Sequence, residues 1–265
     1  MSDQGSDLGA RAIVALPAIA LALFLVIEGG VVLALGLFAL GCVCMHELYA
    51  MYERAHPVRL AGFLALAGLL AAALYGDQFQ VLLVAVAVLP VLFALTIQQL
   101  RPSIGGMALT LLGVYWIGFA LAHAVLLRRL PHGMGIVIDV LVGVFLGDTG
   151  AYLGGRLFGR RPLAPRISPN KTVEGLLSGM LFAIVGVWLA GRYQDWLPGT
   201  HALVLGLGVA LLAPVGDLFE SFVKREAHVK DSGRLFGAHG GALDRLDGVL
   251  FAAVAGYYIW FAYVH

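Results

Sequence analysis

Residues 201–225 read HALVLGLGVALLAPVGDLFESFVKR. From Ala202 to Gly216 there is no charged side chain, and then Asp217, Glu220, Lys224 and Arg225 follow within nine positions. The stretch 201–223 as a whole is long enough to cross a bilayer core of about 30 Å as a helix, with the acids in its last turns. On a helix, Asp217, Ser221 and Lys224 are four and three residues apart and share one face. This stretch therefore predicts a membrane helix whose end carries an acid, a hydroxyl and a base at the lipid–water boundary.

Working outward, comparable apolar runs fill the chain. The 265 residues are 60% hydrophobic and only 12% charged, with a mean hydropathy of +0.91, whereas soluble domains carry about 25% charged residues. A soluble globular protein is excluded. Helices are expected near 11–27, 30–46, 58–75, 79–98, 105–127, 134–154, 173–191, 201–223 and 246–264, giving an all-α polytopic bundle of about nine spans. Glu28, Gly29 and Gly30 alone separate the first two, which fits a tight hairpin or a re-entrant pair. The whole chain reads as a single membrane domain, with residues 1–135 poor in motifs and 136–265 holding the helices and loops rich in chemistry.

Lysine and arginine set the orientation, because basic residues near span ends stay on the cytoplasmic side. With the N-terminus inside, that side receives fourteen of the seventeen, from Arg11 to Arg245, and only Arg128, Arg129 and Arg192 fall opposite. The two longest polar segments, 155–172 and 224–245, then face the cytoplasm together. Met1 to Ala10 carries Asp3 and Asp7 and lacks the basic start of a secretory signal, so the first run is read as retained, with cleavage left open. Cys42 and Cys44 stand inside an apolar run without a second pair and read as packing residues. Small-xxx-small pairs, Gly143 with Gly147 and Gly175 with Gly179, fit close helix packing. A homodimer is compatible with them, but 35 glycines make such pairs too common to establish one.

Three spellings carry no weight. Asp148-Thr149-Gly150 ends an apolar helix rather than sitting in one of the two β-rich loops of an aspartic protease. His46-Glu47 lacks the second histidine of a zinc-protease helix. Asn170-Lys171-Thr172 falls on the side where glycosylation does not occur. Trp116, Trp188 and Trp260 read as packing or interface groups, Glu174 as an early-turn charge, and Glu28, His123 and Asp139 have no assignable role.

The informative polarity lies in two stretches. The first runs from Gly147-Asp148-Thr149-Gly150-Ala151-Tyr152 to Ser168-Pro169-Asn170-Lys171-Thr172-Val173-Glu174-Gly175. The second runs from Gly216-Asp217 through Lys230-Asp231 to His239-Gly240-Gly241-Ala242-Leu243-Asp244-Arg245-Leu246-Asp247. Carboxylates at the ends of apolar helices are costly unless paired or metal-bound. Asp244 and Asp247, three apart, can face one partner and also suit a helix N-terminus, so plain capping is their alternative role. Hard oxygen ligands without cysteine suit Mg²⁺, and the surrounding lysines and arginines suit phosphate oxygens. His239-Gly240-Gly241 reads as a turn whose N–H groups approach a phosphate. Together these parts describe displacement at phosphorus.

At these residues the sequence resembles the phosphatidate cytidylyltransferases, or CDP-diacylglycerol synthases. Their signature S-x-x-K-R-x-x-x-x-K-D, then H-G-G-x-x-D-R-x-D, is met by Ser221, Lys224, Arg225, Lys230, Asp231, His239, Gly240, Gly241, Asp244, Arg245 and Asp247. The D-T-G-A-Y and S-P-x-K-T-x-E-G segments upstream are also similar, whereas residues 1–135 share only hydropathy. Gly237-Ala238 stands where the family usually has Pro-Gly, and Ala242 replaces a bulkier aliphatic residue. The resemblance implies that phosphatidic acid in the bilayer attacks the α-phosphate of CTP, releasing pyrophosphate. On that basis Asp217, Asp244 and Asp247 are expected to hold Mg²⁺, with Asp148 a further member or a neighbour, and a second, monovalent cation would fit. Lys171, Lys224, Arg225 and Lys230 are expected on phosphates, with Ser221, Ser168, Asp231, His239 and Arg245 as positioning or binding groups. No nucleic-acid partner is expected, and a bacterial inner membrane with the active site facing the cytoplasm is the expected location. The rivals are a CTP-using enzyme acting on an isoprenoid alcohol or an archaeal ether lipid, and a cation transporter. The transporter predicts acids stacked through mid-bilayer, whereas here they crowd one face.

Overall fold

A computed structural model describes residues 17–99, 101–233 and 240–265, and its described part is helical apart from one hairpin. The helices are α1 (Pro17–Glu28), α2 (Gly30–Met51), α3 (Arg59–Tyr75), α4 (Gln78–Thr96), α5 (Ile104–Arg129), α6 (Gly133–Phe158), α7 (Val173–Gly191), α8 (Gly199–Glu226) and α9 (Leu243–Val264). Each corresponds to one of the apolar runs. Among the described residues seven are long and apolar enough to cross a membrane, α1 and α3 being the shorter ones. Arg11 and the start of the first run lie outside the described residues.

Helix ends differ from the hydropathy runs for a physical reason. Hydropathy stops where the hydrocarbon would, but backbone hydrogen bonding continues, so α2 reaches Met51, α6 reaches Phe158 and α8 reaches Glu226. In α8 the extension places Lys224 and Arg225 in the last turn, where the helix dipole favours them. Between α1 and α2, Gly29 and Gly30 both take positive φ, which turns the chain sharply. A Cβ on Gly36 of α2 would stand 2.6 Å from the Leu25 methyls of α1, so the two pack as a hairpin.

Large apolar side chains such as Leu35, Leu64, Phe79, Val86 and Phe93 point outward, while Met45, Leu48, Leu66, Ile117, Ile136, Leu205 and Leu250 are fully buried between helices. That inversion suits a lipid surround. α6 and α7 meet along small residues: a Cβ on Gly179 would stand 2.7 Å from the Gly147 carbonyl oxygen and 2.9 Å from Ala151 Cβ. The small-residue pairs thus serve packing within the chain. Gly179→Leu is expected to force these helices apart and to cost at least ~1–3 kcal/mol. Thermal unfolding in detergent checks this against Gly105→Ala, whose nearest neighbour would be Ser103 Oγ at 3.5 Å.

The two ends of the bundle are chemically distinct. At one, Arg128 donates to the Val26 and Ile27 carbonyls at 2.6 and 3.0 Å, and Arg129 to those of Ala73 and Gly76. Both satisfy open carbonyls at helix C-termini. At this end Gln194 donates to Asp139 at 2.8 Å and Trp260 Nε1 to the Pro131 carbonyl at 2.7 Å. His123, inside the bundle, meets the Phe119 carbonyl and the Tyr258 hydroxyl. These contacts give Asp139, His123 and Trp260 places in packing.

The other end carries residues 155–172 and 224–233 together, since Arg225 Nε donates to the Ile167 carbonyl at 3.2 Å. Residues 162–172, expected only as a polar segment, form an antiparallel hairpin of β1 (Pro162–Ala164) and β2 (Ser168–Thr172). Pro162, Pro165 and Pro169 exclude a helix there. Thr172 caps α7 by accepting from Gly175 N, and Glu174 Oε2 accepts from the backbone N–H groups of Arg160 and Arg161. Glu174 is therefore more than an early-turn charge: it pins the hairpin to α7.

Candidate active site

A cavity of about 540 Å³ opens between α6, α7, α8 and the hairpin. Asp148, Arg156, Ser168, Asn170, Lys171 and Asp217 line its polar end, and Val144, Leu176, Ala183, Val209 and Ala210 its apolar depth. Pro214 in α8 has no N–H for the Ala210 carbonyl, and both residues face this space. Lys171 on β2 reaches Asp217 on α8, Nζ to Oδ2 at 2.5 Å. Asp148 feels the charges of both Asp217 and Lys171.

Next to this cavity α8 meets the first turn of α9. Ligand atoms of Asp217, Glu220 and Asp247 lie within 4.8 Å of one another. Glu220 is 1% exposed, and its Oε1 has no hydrogen-bond partner among the described residues. An acceptor oxygen buried with nothing to accept from, beside two further carboxylates, fits a hard divalent cation. Glu220 was not singled out from the sequence. It stands three residues after Asp217 and four before Lys224, so helical spacing already put it on the same face.

Asp244, grouped in the sequence reading with Asp217 and Asp247, lies outside that triplet. Its Oδ1 takes Lys224 Nζ at 2.6 Å, and its Oδ2 accepts from Ser232 N, Ser232 Oγ and Gly241 N. Lys224 also pairs with Glu220 Oε2 at 2.6 Å, so one ammonium joins the metal-type cluster to Asp244. Gly240 has φ +82°, and a Cβ there would stand 2.5 Å from Asp244 Oδ2. A Cβ on Gly241 would stand 2.4 Å from Glu47 Oε2. The two glycines are thus required by the carboxylates they wrap.

The remaining predicted residues divide. Ser168 lines the cavity, whereas Ser221 is half-buried on α8 and outside the cavity lining. Arg225 uses its guanidinium on the Ile167 and Val229 carbonyls, tying the hairpin turn to the end of α8. Lys230, Asp231 and Arg245 are exposed. Gly237, Ala238 and His239 lie outside the described residues.

A family model described as the cytidylyltransferase family matches residues 9–263. The chain belongs to that family. It is 32% identical over 259 residues to a phosphatidate cytidylyltransferase of Staphylococcus epidermidis, covering 91% of this chain and 94% of that one. It is 40% identical over 142 residues to a phosphatidate cytidylyltransferase of Brucella suis, 53% of each chain. A protein of that name from Mycobacterium leprae is 40% identical over 144 residues, 52% of this chain and 45% of the other. The family match spans both halves, including residues that showed only hydropathy on their own.

Proposed function

We propose that the chain transfers the cytidylyl group of CTP to phosphatidic acid, yielding CDP-diacylglycerol and pyrophosphate, at the end of the bundle where Asp217 and Asp247 converge. The observation that carries this is the three-carboxylate cluster of Asp217, Glu220 and Asp247 beside a cavity that is polar at one end and apolar in its depth. In the reaction a phosphatidate oxygen forms a bond to the α-phosphorus as the bond to the β-phosphate oxygen breaks. The attacking phosphate is already ionised, so the chain needs to position and neutralise charge rather than remove a proton.

Asp217, Glu220 and Asp247 would hold Mg²⁺, which when bound offsets charge on the reacting phosphate oxygens. Lys171, paired with Asp217 at the polar end of the cavity, serves the triphosphate as a point charge. Lys224 lies between Glu220 and Asp244 and keeps the acids of α8 and α9 in register. Asp244 then acts by holding Lys224. The apolar wall of Val144, Ala183, Val209 and Ala210 takes the lipid's glycerol and acyl region. The basic end faces the cytoplasm of a bacterial cell, with the N-terminus on that side and nine spans, as the lysine and arginine distribution favours.

Purified protein given Mg²⁺, phosphatidic acid and CTP labelled separately in the cytidine and in the γ-phosphate tests this. Cytidine label is expected in the lipid and γ-label in pyrophosphate. Transfer of γ-label to an isoprenoid alcohol, or cytidylyl transfer to an ether lipid in preference to phosphatidate, would favour the rival substrates. No lipid product from any of them would contradict the assignment.

A further inference from the structure

The buried carboxylate of Glu47 stands on α2, in the half of the chain with no recognisable motif, and faces the start of α9. Oε1 accepts from Ala242 N at 3.0 Å, and Oε2 from Leu243 N at 2.9 Å and from the Ser232 hydroxyl at 3.1 Å, whose single proton it shares with Asp244 Oδ2. Helix α9 has no side-chain cap of its own at Ala242. Its open N–H groups are met instead by an acid from nearly 200 positions away, at the helix end where the dipole favours negative charge. Gly233 and Gly241 close on this acid: a Cβ on either would stand 2.4 Å from a Glu47 carboxylate oxygen.

The same end of α2 also holds the other acid-bearing helix. Tyr52, just past α2, donates its hydroxyl to the Val223 carbonyl of α8 at 2.6 Å. Asp217 belongs to α8 and Asp247 to the first turns of α9, so α2 fixes both elements whose approach makes the carboxylate cluster. Ser232 Oγ lies 3.1 Å from Glu47 and 3.0 Å from Asp244, which continues the chain of contacts to Lys224 and Glu220.

We propose that Glu47 is a positioning residue for the cation-binding acids: by capping α9 and bonding Ser232, it sets how closely Asp247 approaches Asp217. This rests on the cytidylyltransferase reading for its kinetic consequence, but not for its structural one. A carboxylate offers acceptors to all three donors. Glutamine, of the same shape, keeps one acceptor oxygen and turns an NH₂ toward a donor.

Glu47→Gln is expected to purify folded and to lower kcat ~10- to 100-fold, the usual effect of losing a group that orients metal ligands. The Mg²⁺ concentration for half-activation should rise by about tenfold, with KM for phosphatidic acid within about twofold. Ser232→Ala should act through the same contact, so the double variant should lose less than the product of the single losses. Independently of turnover, the rise in unfolding temperature that Mg²⁺ gives the wild type should shrink in Glu47→Gln. The proposal is overturned if Glu47→Gln turns over within about twofold of wild type at an unchanged Mg²⁺ requirement. It is equally overturned if activity falls only in proportion to the folded fraction, with the Mg²⁺ temperature shift intact. A wild type that forms no CDP-lipid would defeat the functional reading instead, and the Mg²⁺ shift would still report on Glu47.

Discussion

Asp247→Asn is expected to reduce CDP-lipid formation by ~100- to 1000-fold or more while leaving a folded protein, and Asp217→Asn to do the same. The two residues come from different helices, yet their oxygens lie within 4.8 Å of each other and of Glu220. Asparagine keeps the shape of the side chain and one acceptor oxygen but removes the charge that a divalent cation needs. At Asp247 it also relieves repulsion between neighbouring acids, so stability should hold or rise, whereas at Asp217 it gives up the part-exposed ion pair with Lys171 and costs about 1 kcal/mol or less. Loss of activity without loss of fold therefore separates a chemical role from a packing role. The check is initial rate with labelled CTP at saturating Mg²⁺, together with an unfolding curve. If either variant retained more than about a tenth of wild-type turnover, it would have no place as a metal ligand.

Lys224→Met should have the largest effect on stability. The ammonium bridges Glu220 and Asp244, all three side chains being at most 13% exposed. Removing one partner of such a buried pair typically costs about 3–5 kcal/mol, because the remaining charges stay buried and unpaired. For a chain of this size that corresponds to a fall of roughly 10 °C in unfolding temperature. Glu53→Gln is the contrasting case. Glu53 pairs with Arg59 at 3.3 Å, but its side chain is 79% exposed, and exposed pairs contribute about 0–1 kcal/mol. A Lys224→Met protein as stable as Glu53→Gln would show that the bridge holds nothing in place.

Much of this was legible from residue order because membrane helices obey local rules. The stretch 201–223 points to α8 by length and composition, and Asp217 lies where its uncharged part ends. The positions of Asp247 and Lys171 were likewise readable from their motif context. Glu220 was readable in principle from its three- and four-residue spacing to Asp217 and Lys224, but a single acid in a stretch rich in acids does not announce which neighbour it meets. The hairpin of 162–172 was obscured because its strands, three and five residues long, are too short to carry an alternating pattern.

Glu47 and Asp244 show the limit more sharply. Nothing local tells that Glu47 caps a helix beginning at Leu243, since that contact exists only once α2 packs beside α9. Asp244 and Asp247 look equivalent in sequence, three residues apart on one helix start. Three residues of helix leave their directions only about 60° apart, and the difference comes from the neighbours each meets, Lys224 and Ser232 for one and Asp217 for the other.

Binding of Mn²⁺, followed by electron paramagnetic resonance on the purified wild type and on Asp217→Asn and Asp247→Asn, tests the convergence of these acids most directly. One shared site predicts that each single substitution removes the same bound Mn²⁺. Wild-type Mn²⁺ binding in either variant would contradict it.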